Sequence, residues 1–244
     1  MPSKLVTPDT LVADLAVAYP STIRVFQRHH IDFCCGGKVP LWQVCADHNI
    51  ATAQMIEELE VSTRSSEPVD DYARAPLTEI VVHIQRRYHR ALREELPRLR
   101  AMLDKVVSRH GDRLADVLLP LQNTFVLFEA DLSLHMKKED DVLFPAIVAL
   151  EQGTTRTGSV GTDWTWIDQP IDIMEREHEA AGDALARMAE LTDRYTPPAD
   201  ACPTFRGLYH GLAELEREMH LHVHLENHVL FPRANALARA HAHA

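Results

Sequence analysis

The sequence predicts an all-α protein in which a small helical domain precedes an up-down-up-down four-helix bundle. Two observations predict this fold. Apolar residues recur at helical spacing along most of the chain, and no run of alternating polar and apolar residues favours a sheet. Four long amphipathic segments with moderate connections are typical of a bundle. They are expected at roughly 77–108, 113–148, 170–194 and 204–238.

Shorter helices are predicted ahead of the bundle. Thr10 and Ser21 are candidate N-terminal caps for the first two of them. The expected ranges are roughly 10–19, 22–30, 41–48 and 51–59.

Composition and helix breakers suggest where the domains end. A polar stretch with a proline follows the short helices and is interpreted as a linker. The chain is therefore divided into a small domain at 1–62, a linker at 63–75 and the bundle at 76–240. Pro97 and Pro120 lie inside predicted bundle helices, so a kink or an extra break is expected at each.

Charge and hydropathy exclude several classes of partner. The 244 residues include 25 Lys+Arg and 36 Asp+Glu, for a net charge of −11. This balance argues against nucleic acid and anionic membranes as main partners, because both need a basic face. The longest apolar run, 142–150, is far shorter than the roughly 20 residues of a membrane helix. The first ten residues contain no apolar core of a secretory signal, so a cytoplasmic location is expected.

Cysteine and histidine usage points towards metal chemistry. The chain has 4 Cys, two of them adjacent, which is no disulfide framework. It also has 15 His, and histidine at that level in an acidic chain suggests metal ligation or proton chemistry.

An internal repeat carries most of this signal. The segments 135–145 and 222–232 both follow the pattern H-x3-E-x2-V-L-F-P without gaps. A further histidine precedes each copy at nearly the same distance: His89 lies 46 residues before His135, and His178 lies 44 residues before His222. The chain therefore contains the pattern H…H-x3-E twice.

The spacing within the repeat suits a dinuclear metal site. Residues i and i+4 share one face of a helix, so each copy can direct an imidazole nitrogen and a carboxylate oxygen to one metal. A histidine from a preceding antiparallel helix would add a nitrogen to each half, and the two carboxylates are suited to bridging. This nitrogen and oxygen donor set favours iron, with manganese or zinc as alternatives. The candidate ligands are His89, His135, Glu139, His178, His222 and Glu226.

Neighbouring polar residues leave other arrangements open. His224 and His228 form a rival i,i+4 pair, but only His222 aligns with His135 in the repeat. Asp131, one turn before His135, and Glu177, next to His178, are candidates for supporting the ligands.

At these residues the chain resembles the hemerythrin-like di-iron domain. More closely, it resembles the iron–sulfur cluster repair di-iron proteins, the repair-of-iron-centres family of the YtfE and ScdA type. The features that carry the resemblance are Asp32-Phe33-Cys34-Cys35-Gly36-Gly37, Tyr88-His89 and both repeat segments, and the match covers about residues 8–235. The resemblance implies a hemerythrin-like four-helix bundle with two non-haem irons, joined by an oxo or hydroxo bridge and two bridging glutamates.

The resemblance also implies a function. The implied function is the repair of iron–sulfur clusters damaged by nitric oxide or oxidants, with nitric oxide binding or removal at the di-iron centre. Damaged iron–sulfur proteins are then the partners, nitric oxide or oxygen species are the small ligands, and a homodimer is expected. The resemblance is compatible both with an oxidoreductase that reacts with nitric oxide and with a protein that donates iron. The alternatives are a nitric oxide or oxygen sensor without turnover and an iron-storage protein.

Two positions differ from patterns found among similar proteins. Glu226 stands where an oxygen-carrying hemerythrin would hold another histidine, which disfavours reversible oxygen storage. Phe33 stands where many members of the resembling family have tyrosine, which removes phenol chemistry there.

The cysteine pair has two interpretations. Cys34 and Cys35 can bind iron transiently, exchange disulfides or take up a nitrosyl group, or they can be small buried residues before a Gly-Gly turn. The residues alone do not decide between these interpretations. With the resemblance we favour a functional role and assign both as catalytic candidates, whereas Cys45 and Cys202 are interpreted as structural or incidental.

Overall fold

The computed structural model describes residues 6–63, 72–154 and 164–242. Within these ranges the regular structure is helical, and the single strand-like feature is an isolated backbone bridge between Leu11 and Pro40. The all-α prediction is confirmed. None of the described helices is both long enough and apolar enough to cross a membrane.

The N-terminal part contains the four predicted short helices. They are α1 (Val12–Ala18), α2 (Ile23–Arg28), α3 (Leu41–Asp47) and α4 (Thr52–Thr63), with a 3-10 turn at Pro20–Thr22.

The predicted caps are wrong. Leu11 occupies the cap position of α1 without a side-chain bond, and the Thr10 hydroxyl lies 2.8 Å from that of Thr7 instead. Ser21 lies inside the 3-10 turn, so Thr22 precedes α2. The Thr22 hydroxyl turns back and donates to the Tyr19 carbonyl at 2.7 Å.

Contacts divide the described chain into two compact units. The first comprises the described part of Met1–Pro76 together with His220–Arg233, and the second comprises Leu77–Met219 with the described part of Ala234–Ala244. The bounds predicted from sequence, 1–62 and 76–240, stay a prediction. The units differ from them in one respect, because 220–233 groups with the N-terminal residues.

The first unit has its own apolar core. The rings of Phe26 and Phe33 stack with centroids 6.3 Å apart, and both side chains are fully buried. Leu41 and Met55 from α3 and α4 complete the centre of this core.

Long helices form the bundle, and three of them contain a five-residue π turn. The first runs as α5 (Leu77–Ile84), a π turn (Gln85–His89) and α6 (Arg90–His110). The next comprises α7 (Ala115–Lys138), a π turn (Glu139–Leu143) and α8 (Phe144–Glu151). The third is α9 (Asp168–Leu191), which follows a 3-10 turn at Thr165–Ile167. The fourth comprises α10 (Pro203–Leu225), a π turn (Glu226–Leu230) and α11 (Phe231–Ala242).

The neighbouring bundle helices of the second unit run antiparallel. His110 at the end of α6 packs its ring 5.4 Å from that of Phe205 near the start of α10. At the opposite ends, Arg87 and Glu218 form a 2.5 Å ion pair. Glu151 at the end of α8 accepts the amide of Thr78 at the start of α5, at 2.8 Å. The predicted bundle is thus confirmed.

The prolines do not interrupt the helices. α6 runs through Pro97 and α7 runs through Pro120, so an extra break at either is wrong, whereas the alternative, a kink, stays a prediction. Leu96 and Leu99 on either side of Pro97 are fully buried. This packing offsets the hydrogen bond that proline cannot donate.

Candidate metal centre

The three π turns coincide with predicted ligands. His89 is the last residue of the first π turn, and Glu139 and Glu226 each begin one of the others. π turns inside α-helices are frequent at functional sites. In both repeat copies, the proline of the V-L-F-P segment follows the turn closely and lacks the N–H that a regular α-helix would require there. The repeat thus encodes a local widening of the helix at the carboxylate.

Four of the six predicted ligands form one buried cluster in the second unit. The Nε2 atoms of His89 and His135 each lie 3.3 Å from Oε2 of Glu139. The Nε2 atom of His178 lies 3.0 Å from that of His135. All four residues are at most 3 % exposed. The Nε2 atoms of His89 and His135 are therefore directed at one carboxylate.

The other two predicted ligands form a pair in the first unit. His222 Nε2 lies 3.0 Å from Oε1 of Glu226, at the junction of α10 and the third π turn. Both side chains are fully buried. The i,i+4 geometry expected from the repeat is present in this copy as in the first.

The chemistry of these donors fits metal ions. Ligand atoms of His135, Glu139 and His178 all lie within 4.8 Å of one another. A carboxylate enclosed without a cation is costly, and a metal ion supplies the compensating charge. The donors are imidazole nitrogens and carboxylate oxygens without a thiolate, the set that suits iron.

An outer carboxylate orients His89. Asp140 accepts a hydrogen bond from His89 Nδ1 at 3.0 Å and one from Gln85 at 2.9 Å, and it pairs with Arg93. Burial alone would raise the pKa of Asp140, but these hydrogen bonds together hold it well below its usual range. Because the proton of His89 lies on Nδ1, the Nε2 lone pair faces Glu139 and is available to a metal.

A second carboxylate plays the same part for His135. Glu177 accepts a hydrogen bond from His135 Nδ1 at 3.0 Å and pairs with Lys138. Burial would raise the pKa of Glu177, but Lys138 and His135 lower it. The sequence had pointed to Glu177 because it adjoins His178, yet its partner is His135 on α7. Asp131, the other candidate, lies exposed on the same helix.

Asp140 was not identified from the sequence. Its signal was the acidic residue directly after Glu139, combined with Arg93 one turn after His89. Recognising it required knowing that α6 and the second π turn lie side by side.

The cysteine segment forms a tight turn around Asp32. One carboxylate oxygen of Asp32 accepts the amides of Cys34 and Cys35 at 2.8 and 3.0 Å, and the other accepts the Gly36 amide at 2.7 Å. A Cβ at Gly37 would lie 2.6 Å from the Phe33 carbonyl oxygen, so only glycine fits there without a backbone shift.

The rival pair of histidines contacts this turn. His224 Nδ1 donates to the Phe33 carbonyl at 3.3 Å, and His228 Nε2 donates to the Cys34 carbonyl at 2.5 Å. Burial and the neighbouring His228 lower the pKa of His224 to about 4, so it is neutral at physiological pH. These two histidines therefore hold the cysteine turn against the second copy of the repeat.

The two cysteines lie close together as thiols. Their Sγ atoms are 3.8 Å apart, and the Cys34 thiol also donates to Asp32 at 3.1 Å. The hydrogen bond to Cys35, burial and the negative charge of Asp32 raise the pKa of Cys34 well above its ordinary value. Cys45 is fully buried in the core of the first unit, and Cys202 is half-buried.

Comparison with known proteins gives the family. Residues 80–234 match the model of the hemerythrin HHE cation binding domain, and residues 8–62 match ScdA_N, a domain of unknown function. The iron-sulfur cluster repair protein YtfE of Musicola paradisiaca is 38% identical over 91% of this chain and 95% of its own length. The iron-sulfur cluster repair protein ScdA of Staphylococcus haemolyticus is 34% identical over 93% of this chain and 98% of its own.

These matches agree with the geometry of the site. A hemerythrin-like domain binds a di-iron centre, and the described histidines and glutamates form groups able to hold metal ions. The chain therefore belongs to the family of hemerythrin HHE proteins with an N-terminal ScdA domain that includes the YtfE and ScdA proteins.

Proposed function

We propose that this protein repairs damaged iron–sulfur clusters by means of a di-iron centre in its hemerythrin-like domain. The observation that carries the proposal is the buried histidine–glutamate set, found in a chain similar over most of its length to iron-sulfur cluster repair proteins. Its partners are accordingly proteins whose iron–sulfur clusters have been damaged.

The proposed ligands of the two irons are the six residues of the repeat pattern. The cluster around Glu139 supplies three histidines and one carboxylate, and the buried His222–Glu226 pair supplies the remaining histidine and carboxylate. Glu139 and Glu226 would supply the carboxylate ligands. Their burial in both copies supports this assignment, because an enclosed carboxylate is stabilised by a cation.

The surrounding residues fix the donors before any ligand binds. Asp140 and Glu177 keep the protons of His89 and His135 on Nδ1, which leaves Nε2 as the lone-pair donor. The Phe144 ring stacks on the His89 ring with centroids 5.5 Å apart and excludes water from that side. When bound, the irons supply redox capacity and exchangeable positions for nitric oxide or oxygen species.

The cysteine turn has a separate role in the proposal. Cys34 and Cys35 act on the damaged cluster or dock with it, and the partial exposure of Cys35 supports contact with a partner. The homodimer and the cytoplasmic location stay predictions.

The proposal is tested with protein purified without oxygen. Iron content and the optical spectrum are measured before and after nitric oxide is added, and an iron–sulfur enzyme damaged by nitric oxide is then assayed for recovery of activity. We expect a di-iron spectrum that responds to nitric oxide, and recovery that is lost in His135→Ala. Zinc or a single metal would overturn the di-iron proposal. Stoichiometric binding of nitric oxide without any recovery of the damaged enzyme would instead identify a sensor.

A further inference from the structure

We propose that Cys34 and Cys35 together chelate one thiophilic divalent metal ion, at a site that uses none of the histidine and glutamate ligands. This site is suggested by two adjacent thiols that lie beside a carboxylate. Ligand atoms of Asp32, Cys34 and Cys35 all lie within 4.8 Å of one another. This inference concerns the N-terminal unit and holds whether or not the di-iron proposal is correct.

The distance between the sulfurs is the spacing that a tetrahedral ion requires. Two thiolates bound to one ion at about 2.3 Å, with a tetrahedral angle between them, have sulfurs about 3.8 Å apart. Cys34 Sγ and Cys35 Sγ are 3.8 Å apart. A disulfide would need them at about 2.05 Å. The turn is thus already arranged for chelation and not for a disulfide.

Charge favours a cation at this position over a bare thiolate. Asp32 lies 3.1 Å from the Cys34 sulfur, and its negative charge, together with the Cys35 contact and burial, keeps the Cys34 pKa raised. A thiol held in its protonated form is a poor nucleophile. A divalent ion displaces one proton from each thiol, forms two metal–sulfur bonds and offsets the charge of both thiolates. No electron is transferred in this step.

The turn is held in shape independently of any metal. Three backbone amides donate to the Asp32 carboxylate, and His224 and His228 donate to carbonyls of the same turn. Ordering of the ligands therefore costs little on binding. Cys34 is buried, so an ion would reach the pair from the side of the exposed Asp32 and the half-buried Cys35.

The test is a cadmium titration of the full-length, iron-loaded and fully reduced protein without oxygen. Thiolate-to-cadmium absorption in the ultraviolet reports sulfur ligands, and calorimetry in two buffers counts the protons released. We expect one cadmium per chain and two protons per cadmium. Cys35→Ser and Cys34→Ser are each expected to weaken binding about a hundredfold or more. Cys202→Ser, a half-buried cysteine without a neighbouring thiol, is the matched control and retains full binding.

Each other result overturns the inference. An unchanged titration in Cys35→Ser, which alters a partly exposed position with little risk to folding, would place the cadmium elsewhere. One cadmium per two chains would indicate an ion bridging two molecules. Release of iron without thiolate absorption would show that cadmium enters the histidine–glutamate groups. Iron content and the nitric oxide response of the same samples report separately on the proposed function.

Discussion

The two copies of the repeat build the same ligand pair but differ in what surrounds it. In both, the glutamate begins a π turn and a Phe-Pro pair opens the following helix. Two and six residues after the histidine, the first copy has Lys137 and Asp141, which form an exposed ion pair. At the equivalent positions the second copy has His224 and His228, which donate to carbonyls of the cysteine turn.

A further difference lies directly after the glutamate. The first copy has Asp140, which orients His89, whereas the second has Asn227 at the same position. The spacing shared by the two copies therefore specifies the donors, and the positions between and directly after the donors specify separate tasks. Charged groups surround the first copy and orient His89, whereas histidines of the second copy hold the cysteine turn.

The largest expected effect is the loss of iron when either copy loses its histidine. His135→Ala and His222→Ala each remove one proposed nitrogen ligand of the iron beside a buried carboxylate. Both variants should therefore lose most of the bound iron. Iron per chain, measured by elemental analysis, checks this.

His224→Ala is the control for register in the second copy. It lies two residues from His222 and contacts the cysteine turn, so it should keep its iron. Iron loss in His224→Ala with retention in His222→Ala would refute the assignment of His222.

The next effect concerns Asp140. Asp140→Asn removes the charge that pairs with Arg93 and weakens the hold on His89, so iron affinity should fall about 10–100-fold. Competition with a chelator measures this affinity. Asp141→Asn, at the adjacent exposed position, is the matched control and should leave it unchanged. Equal losses in the two variants would show that general negative charge, not the bond to His89, is responsible.

The sequence predicted the contacts within each repeat copy better than the contacts of the surrounding carboxylates. Helical i,i+4 spacing places His135 with Glu139 and His222 with Glu226 whatever the neighbouring helices do. The roles of Asp140 and Glu177 depend on which helices are adjacent, which periodicity does not encode. The π turns were missed because local propensity predicts a regular helix there. The continuous helix through Pro97 was missed because local propensity predicts a break, whereas tertiary packing decides the outcome.

A smaller effect is expected where the cysteine turn meets α1. An alanine at Gly37 would bring its Cβ to 2.6 Å from a backbone oxygen and 2.9 Å from Ala13 Cβ. Gly37→Ala should therefore lower the free energy of unfolding by about 1–3 kcal/mol, as overpacking does. Urea unfolding measures it.

Gly207→Ala in α10 provides the contrast. Its added Cβ would meet the flexible end of Met102 at 3.2 Å, and alanine favours a helix by up to about 1 kcal/mol over glycine. It should be neutral or stabilising. Destabilisation as large as that of Gly37→Ala would mean that the strain is not specific to the cysteine turn.

The smallest effect separates the task of the second copy from that of the first. His228→Ala removes the hydrogen bond to the Cys34 carbonyl, and a bond with a net value of about 1 kcal/mol corresponds to about fivefold more frequent opening of the turn. Alkylation of Cys35 by a small thiol reagent should accelerate by that factor while iron content is unchanged. Asp141→Asn, at the equivalent position of the first copy, should leave the alkylation rate unaltered. If His228→Ala lost iron without any change at Cys35, His228 would belong to the metal centre, and the two copies would differ in their ligands instead of in their supports.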